Sequence, residues 1–449
     1  MRITFVSLIP DAGHVIPLLR IASALTTDDI ECRFIVPEEG KSLPATQGFE
    51  YELLPPVLPA NASSLLKRIS HTSPLYRKLY FNRYFESHYF QPIQYKGLSF
   101  LPLLKDKFQQ HKPDLIIADE HLLGAAIHDL GVQLGIPVLM HRASGSNQQC
   151  QNPQPYAKRP SLLASKSIPV LSKIIGKLSH AANSKLNKEA HRSTQEMKID
   201  INRKWDEIIK RGKLSGKPKQ IFTTGMATVE SRHLQPKITV CGGIQAFGPL
   251  PPLVAGNISN EDQAWLEMQP KKPVILVSLG SMVTITNKLS HCLIRGAKEN
   301  HCRILWVSRT DPVPTSFKSD PDIRWISWGP QPTLLADQRI RGFVSHAGSG
   351  AVQEAFWFAK PLLCIPQIWD QPYNAWVVET LGAGRVINKN HFSVEQVSRF
   401  LSDILHDNAI KETMDRYSRE IRELDSGTEV SEYILAACNS ETISVNRPY

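Results

Sequence analysis

No stretch of this 449-residue chain stays apolar for long. A membrane-spanning helix needs roughly 18 to 20 consecutive apolar residues, and no run comes near that length. Cysteine is sparse: the seven, at 32, 150, 241, 292, 302, 364 and 438, are dispersed with no C-x-x-C spacing. An odd, scattered set argues against a disulfide scaffold or a zinc site and for a reducing cytosol, so a cytoplasmic protein is expected. Neither G-x-G-x-x-G nor G-x-x-x-x-G-K-[ST] occurs, which removes support for a dinucleotide or P-loop site. There is no low-complexity segment. The opening MRITFVSLIPDAGH breaks its short apolar run at Pro10 and Asp11, and so reads as a strand and turn rather than a signal peptide.

What is present fits a soluble globular protein, with 42% hydrophobic and 21% charged residues. The length calls for two domains. The net charge is +10, and it is local: between Tyr156 and Lys219, 16 Lys or Arg face 5 Asp or Glu, leaving the rest of the chain near neutral. Such a patch is a solvated face, or it meets an anionic membrane surface or an anionic acceptor. Nucleic acid is not expected, because no recognition motif accompanies the charge. In residues 74–95, Tyr76, Tyr80 and Tyr84 recur every four positions, as do Phe81, Phe85 and Tyr89. That spacing predicts a helix with aromatics on more than one face. It packs in the core, lines an apolar acceptor pocket, or dips into a membrane beside Arg77, Lys78 and Arg83. Peripheral membrane contact through 74–95 and 156–219 is therefore one expectation.

Short apolar runs alternate with helical stretches throughout. RITFVSL, ECRFIVP, DLIIAD, PVLMHRA and QIFTTG read as strands in the first half; PVILVSLG, RILWVSR, GFVSHAG, PLLCIPQ and GRVIN in the second. Runs without in/out alternation suit strands buried on both faces of a parallel sheet, and helices between them give βαβ units. The expected fold class is α/β: two doubly wound Rossmann-like domains facing each other across a cleft. The Pro- and Gly-rich segment 236–258 reads as the linker between a first domain, 1–235, and a second, 259–449, whose last helix is expected to pack back on the first. VSL recurs at 6–8 and 277–279, a weak sign of symmetry between the halves.

In doubly wound sheets ligands sit beyond the carboxyl ends of the strands, and the unusual residues of the second half fall there. His346 follows GFVS. Gly348 and Gly350 let a ligand approach the backbone and open a helix carrying Glu354. A helix amino terminus with free N–H groups suits a phosphate, and His346 adds a donor to the same anion. Glu354, about one turn on, can accept two hydrogen bonds from vicinal sugar hydroxyls. Trp328 offers a face for a base, and SLGS, with Gly280 and Ser281, is a second small-residue loop after a strand. Base, ribose and diphosphate together make a nucleotide.

The segment Trp328 to Gln371 resembles the nucleotide-sugar signature of family 1 glycosyltransferases, the UDP-glycosyltransferases of GT-B architecture. In its plant form that signature runs from W-x-P-Q through H-x-G and E to D-Q over 44 positions, and Trp328 to Gln371 is also 44 positions without a gap. The resemblance implies that Trp328 stacks on uracil and the backbone near Gln331 hydrogen-bonds it. It assigns the diphosphate to His346 and Gly348, the ribose to Glu354, and sugar hydroxyls to Asp370 and Gln371, the last pair favouring glucose. The plant pattern has W-N-S where this chain has Ser349, Gly350 and Ala351. That small-residue form resembles the bacterial macrolide branch, and the phosphate grip there must come from backbone N–H.

Transfer of a sugar to a hydroxyl needs a base, and an imidazole oriented by a carboxylate supplies one. DAGHVIPLL places His14 after the first strand, and PDLIIAD places Asp119 at the end of a later one. The family carries its catalytic His in G-H-x-x-P and its partner Asp at such a strand end. Glu120, adjacent, is the alternative partner; Asp11, His121 and His141 read as pocket-lining at most. The implied activity is inverting transfer from a UDP-sugar donor to a lipophilic hydroxylated acceptor, without a metal or other cofactor, there being no D-x-D motif at a strand end near the donor. Glycosylation of a membrane lipid carrier or glycolipid is one alternative, and a UDP-GlcNAc 2-epimerase-like isomerase is another.

Overall fold

A computed structural model describes residues 1–59, 91–143, 220–226, 244–308 and 314–438, apart from 26, 28, 122–123, 255, 281–284 and 369, together with the single residues 62 and 233. The basic segment 156–219, Ser281 and all of the aromatic segment except 91–95 lie outside these residues, and the expectations placed there lie outside with them. Among the described residues no helix is long and apolar enough to cross a membrane.

Two sheets form, and every strand pairing in them is parallel. The first contains β1 (Arg2–Val6), β2 (Glu31–Pro37), β3 (Glu50–Leu54), β4 (Leu115–Asp119), β5 (Val138–His141), β6 (Gln220–Thr224) and β7 (Ile244–Phe247), in the order β3-β2-β1-β4-β5-β6-β7. The second contains β8 (Val274–Ser278), β9 (Arg303–Val307), β10 (Ile323–Ile326), β11 (Ile340–Ser345), β12 (Leu362–Cys364) and β13 (Gly384–Val386), in the order β10-β9-β8-β11-β12-β13. Both are doubly wound: the strand order reverses between β1 and β4 and again between β8 and β11, leaving a crevice at each reversal. The two VSL repeats fall at the ends of β1 and β8, the equivalent strands of the two sheets.

The central strands are those with unbroken apolar runs. LIIAD of β4 and VILVS of β8 are buried at every position. The strands not expected from the sequence are β3, β7 and β10. Each is an edge strand, and an edge strand needs burial on fewer sides. EYELL of β3 buries only Leu54 fully. The segment 236–258, expected to be a linker throughout, is corrected by β7, which pairs along β6 and completes the first sheet. Irregular chain resumes at Gly248.

The last helix, Ser426–Cys438, crosses back to the first sheet. Val430 and Ile434 are fully buried in a core with Leu18, Phe222 and Phe247. Tyr433 tilts over Phe222 and Phe247 at 5.7 and 5.3 Å between ring centroids, and Ser431 Oγ donates to the carbonyl of Ala24 at 3.1 Å. Ile434 therefore completes the core of a domain more than 170 residues behind it in sequence. Ile434→Ala should cost about 2 to 4 kcal/mol of stability. In urea unfolding, the loss should appear in the transition of the first domain; a loss in the second domain's transition, or none, would show that the helix is not part of the first core.

Candidate functional site

Parallel β1 and β4 are neighbours, with Val6 opposite Ala118, so both chains leave the sheet at the same edge. From β1 the chain turns through Asp11, the extended residue that precedes the helix Ala12–Ala24, and His14 lies in that helix's first turn. From β4 the chain ends on Asp119. His14 Nδ1 and Asp119 Oδ2 lie 2.9 Å apart, with side chains 23% and 2% exposed. The contact is a close approach that does not meet full hydrogen-bond geometry. Asp119's other oxygen faces His121: it accepts from the His121 backbone N–H at 3.4 Å and lies 3.5 Å from its Nδ1. The His121 ring stands edge-on to that of His14 at 4.8 Å. Glu120, the alternative partner, turns away and holds Arg142, with Oε1 accepting from Nη2 at 2.7 Å.

The electrostatics follow from one carboxylate among three imidazoles. Burial alone would lower the pKa of His14, but Asp119, helped by Asp11 and Asp370, leaves it above the ordinary value. Burial would raise Asp119, yet His14 and His121 hold it well below the usual carboxylate range. His141 ends β5 directly opposite Asp119 and is fully buried, not pocket-lining. Its Nε2 lies 3.1 Å from Thr224 Oγ1, and burial pushes it down to about 4, so it is neutral. Among the described residues, His14, Asp119 and His121 are also the group whose donor atoms converge enough to hold a cation, all within 4.8 Å of one another.

The second reversal is built in the same way. β8 leads to Gly280 and β11 leads to His346. A Cβ at Gly280 would come within 2.8 Å of the His346 ring, and one at Gly348 within 2.5 Å of its Nε2. The two glycines thus let the imidazole lie flat against the backbone. Ala347 takes a left-handed φ of 62° to turn the chain, and Gly348 precedes the helix Ser349–Trp357 with no side chain to cap it. The first-turn N–H groups of Ser349, Gly350 and Ala351 have no acceptor within the helix, and a Cβ at Gly350 would meet nothing, so the approach is open. Among the described residues no counter-charge acts on His346, and burial pushes it down to about 4.

The remaining expected residues fall around this loop. Trp328 is 59% exposed, a free face. Gln331 opens a short helix, and its Nε2 donates to Glu354 Oε2 at 2.7 Å. Asp370 Oδ2 accepts from Asn374 at 2.9 Å, and the same Asn374 amide donates to the carbonyl of Ala347 at 2.9 Å. Burial pushes Asp370 up, opposed by Asn374 and by His14 and His121 of the first domain; the two sites therefore face one another. Gln371's amide oxygen is occupied by the N–H groups of Gln367 and Ile368, at 2.9 and 3.1 Å, so its oxygen braces its own loop.

Two residues were not anticipated from the sequence. Asn374 ties Asp370 to the loop after His346. Arg20, on the helix that begins at His14, donates through Nη2 to Glu354 Oε1 at 2.6 Å, with side chains 3% and 7% exposed. The signal for Arg20 was present: a lone cation inside the apolar run VIPLLRIASAL.

The two domain faces thus bring His14 and Asp119 opposite His346, Glu354 and Asp370. Among known proteins, the family described as UDP-glucoronosyl and UDP-glucosyl transferase matches residues 132–425. UDP-glycosyltransferase 91D2 of Stevia rebaudiana is 28% identical over 222 residues, 45% of this chain and 45% of that protein. The chain spans about half the length of such curated relatives in these matches. The solved glycotransferase of kitacinnamycin covers 97% of this chain and 99% of its own, with a TM-score of 0.67 at 18% identity. Phytolacca americana UGT2, solved with UDP-2fluoro-glucose and pterostilbene, covers 98% and 99%, with a TM-score of 0.63 at 17%. These two share the fold, the GT-B arrangement of two parallel sheets with helices.

The pairing of His14 with Asp119 has a direct consequence. Asp119→Asn removes the largest influence that raises His14 and leaves burial to dominate. The His14 imidazole pKa, followed by NMR, should fall below the ordinary value; an unchanged titration would mean that Asp119 does not set it.

Proposed function

The chain belongs to the UDP-glucuronosyl and UDP-glucosyl transferase family, and on that footing we propose that it moves a sugar, glucose, from a UDP-sugar to a hydroxyl of a lipophilic small molecule, with inversion. The observation that carries this reading is the His14–Asp119 pair at 2.9 Å, set opposite Asp370 across the cleft. Asp119 engages His14 Nδ1, which leaves Nε2 to take the acceptor's proton. The acceptor oxygen forms its bond to the anomeric carbon as the bond from that carbon to the β-phosphate oxygen breaks, and UDP leaves with the electron pair. Free N–H groups at the start of the 349–357 helix receive the charge that develops on the diphosphate. Glu354 takes the ribose, Trp328 the base, and Asp370 the sugar. An acceptor with an apolar body is suggested by UGT2, which was solved with pterostilbene.

His14→Ala should lower kcat for glucosyl transfer by about 10²- to 10⁴-fold, read by mass spectrometry with UDP-glucose and a panel of hydroxylated lipophiles. Full activity would remove His14 as the base. The proposed chemistry uses a proton acceptor, not a Lewis acid. Transfer should therefore survive EDTA unchanged, and a loss restored by Mn²⁺ or Mg²⁺ would assign the His14, Asp119 and His121 cluster to a cation instead.

His346 gives a third expectation. Burial keeps it neutral, its pKa pushed down to about 4. A diphosphate arriving beside it favours the charged form and raises that value. Binding then takes up protons, so the affinity for UDP-glucose rises as pH falls from 8 toward 5. Calorimetry in buffers of different ionisation enthalpy measures the uptake directly, and His346→Asn should abolish it. Proton-neutral binding by the wild type would show that His346 stays uncharged against the donor.

A further inference from the structure

We propose that Arg20, contributed by the first domain, is a positioning residue of the donor site: it holds Glu354 as an ionised carboxylate able to receive both ribose hydroxyls. The inference rests on the reading of Glu354 as the ribose contact.

The geometry is specific. Arg20 Nη2 donates to Glu354 Oε1 at 2.6 Å, and Arg20 Nη1 lies 3.4 Å from the amide oxygen of the neighbouring Gln353. Gln331 holds the other Glu354 oxygen from its own domain at 2.7 Å. Gln353 is fixed in turn by donating to Ser349 Oγ at 3.1 Å. Each carboxylate oxygen thus keeps one lone pair for a ligand. Gln331 and Gln353 are neutral, so Arg20 is the charged group that acts on Glu354.

A carboxylate this buried is unfavourable without a counter-charge and takes up a proton instead. Desolvation leaves Glu354 above its ordinary value on balance, and Arg20 is the principal influence that limits the rise. Protonation would turn one oxygen from acceptor to donor, and a vicinal diol could then no longer donate two bonds to the group. Arg20, from outside the donor domain, opposes this protonation. The Ala12–Ala24 helix also carries His14, six residues earlier, so one rigid element bears both the base and the cation that readies the ribose contact. A donor gripped by Glu354 is thereby placed in register with the imidazole.

An interdomain staple with no part in donor binding would share the distance but not the pH behaviour, and this separates the two. UDP-glucose is the probe, because as a diester it has no phosphate group titrating near neutrality. In Arg20→Met, binding measured calorimetrically at pH 7 should weaken about ten- to hundredfold and should recover as pH is raised toward 9, opposite in direction to the wild type. Arg20→Lys should bind like the wild type. Arg20→Met combined with Glu354→Gln replaces a charge pair with neutral groups of similar size, which folded proteins tolerate better than a half-broken pair. It should lose the recovery at high pH, and it serves as the folded control if the single variant melts early. Wild-type affinity in Arg20→Met, or a loss that pH does not alter, overturns the proposal. Failure of the wild type itself to bind UDP-glucose would instead overturn the donor reading.

Discussion

The reversal of strand order, made once in each sheet, is the constraint from which the rest of the site follows. Helices on the two sides of a reversal lie on opposite faces of the sheet, so the loops entering them separate and leave a crevice at the carboxyl edge. The first sheet reverses between β1 and β4, and its crevice is edged by His14 and Asp119. The second reverses between β8 and β11, and its crevice is edged by Gly280 and His346. The Ser426–Cys438 helix closes against the first sheet, with Val430 and Ile434 in the core of the first domain. Two crevices, each unremarkable for this architecture, become one site because they face each other.

Within that site the same residue type is tuned in opposite directions by what stands beside it. His14, His141 and His346 all lie at or just beyond a strand end, and burial lowers all three. Of the three, His14 is the one with a carboxylate oxygen 2.9 Å from its ring, and it is the one that ends above the ordinary value. A base that must accept a proton benefits from a partner that stabilises its charged form. For the phosphate contact proposed at His346, a neutral imidazole avoids burying an unpaired charge. His141 is neutral because burial, helped by His121 and His14, outweighs the Asp119 carboxylate opposite it.

Much of this was legible in the residues. Strands buried on both faces write themselves as unbroken apolar runs, so β4 and β8 were readable, and with them the ends that present Asp119 and Gly280. The span from Trp328 to Gln371 was readable because its chemistry is local: small residues where backbone meets ligand, polar residues where strands stop. The edge strands were not. β3, β7 and β10 bury fewer positions, so their runs mix charge and bulk and resemble loop. β7 was further hidden by the Pro and Gly around it, which favoured a linker. Nor did the sequence distinguish Glu120 from Asp119, since adjacent residues differ only in the direction they point, and that is decided by Arg142, the residue just past the end of β5.

Arg20 shows why long-range polar pairs resist reading along the chain. It lies 334 residues from Glu354, and no periodicity joins them. Its immediate setting nonetheless carried information. Helix positions 15, 18, 19, 21 and 22 are buried apolar residues, and an arginine fully enclosed among them is untenable unless a partner reaches it. In a two-domain protein that partner need not come from the same domain. The Ala12–Ala24 helix faces the cleft at its start and runs along the interface afterwards, so the nearest source of a compensating anion is the opposite crevice. A lone cation in an apolar helix beside a domain boundary therefore predicts a buried carboxylate across that boundary. Here the carboxylate found is the one that local chemistry had already marked for the ribose.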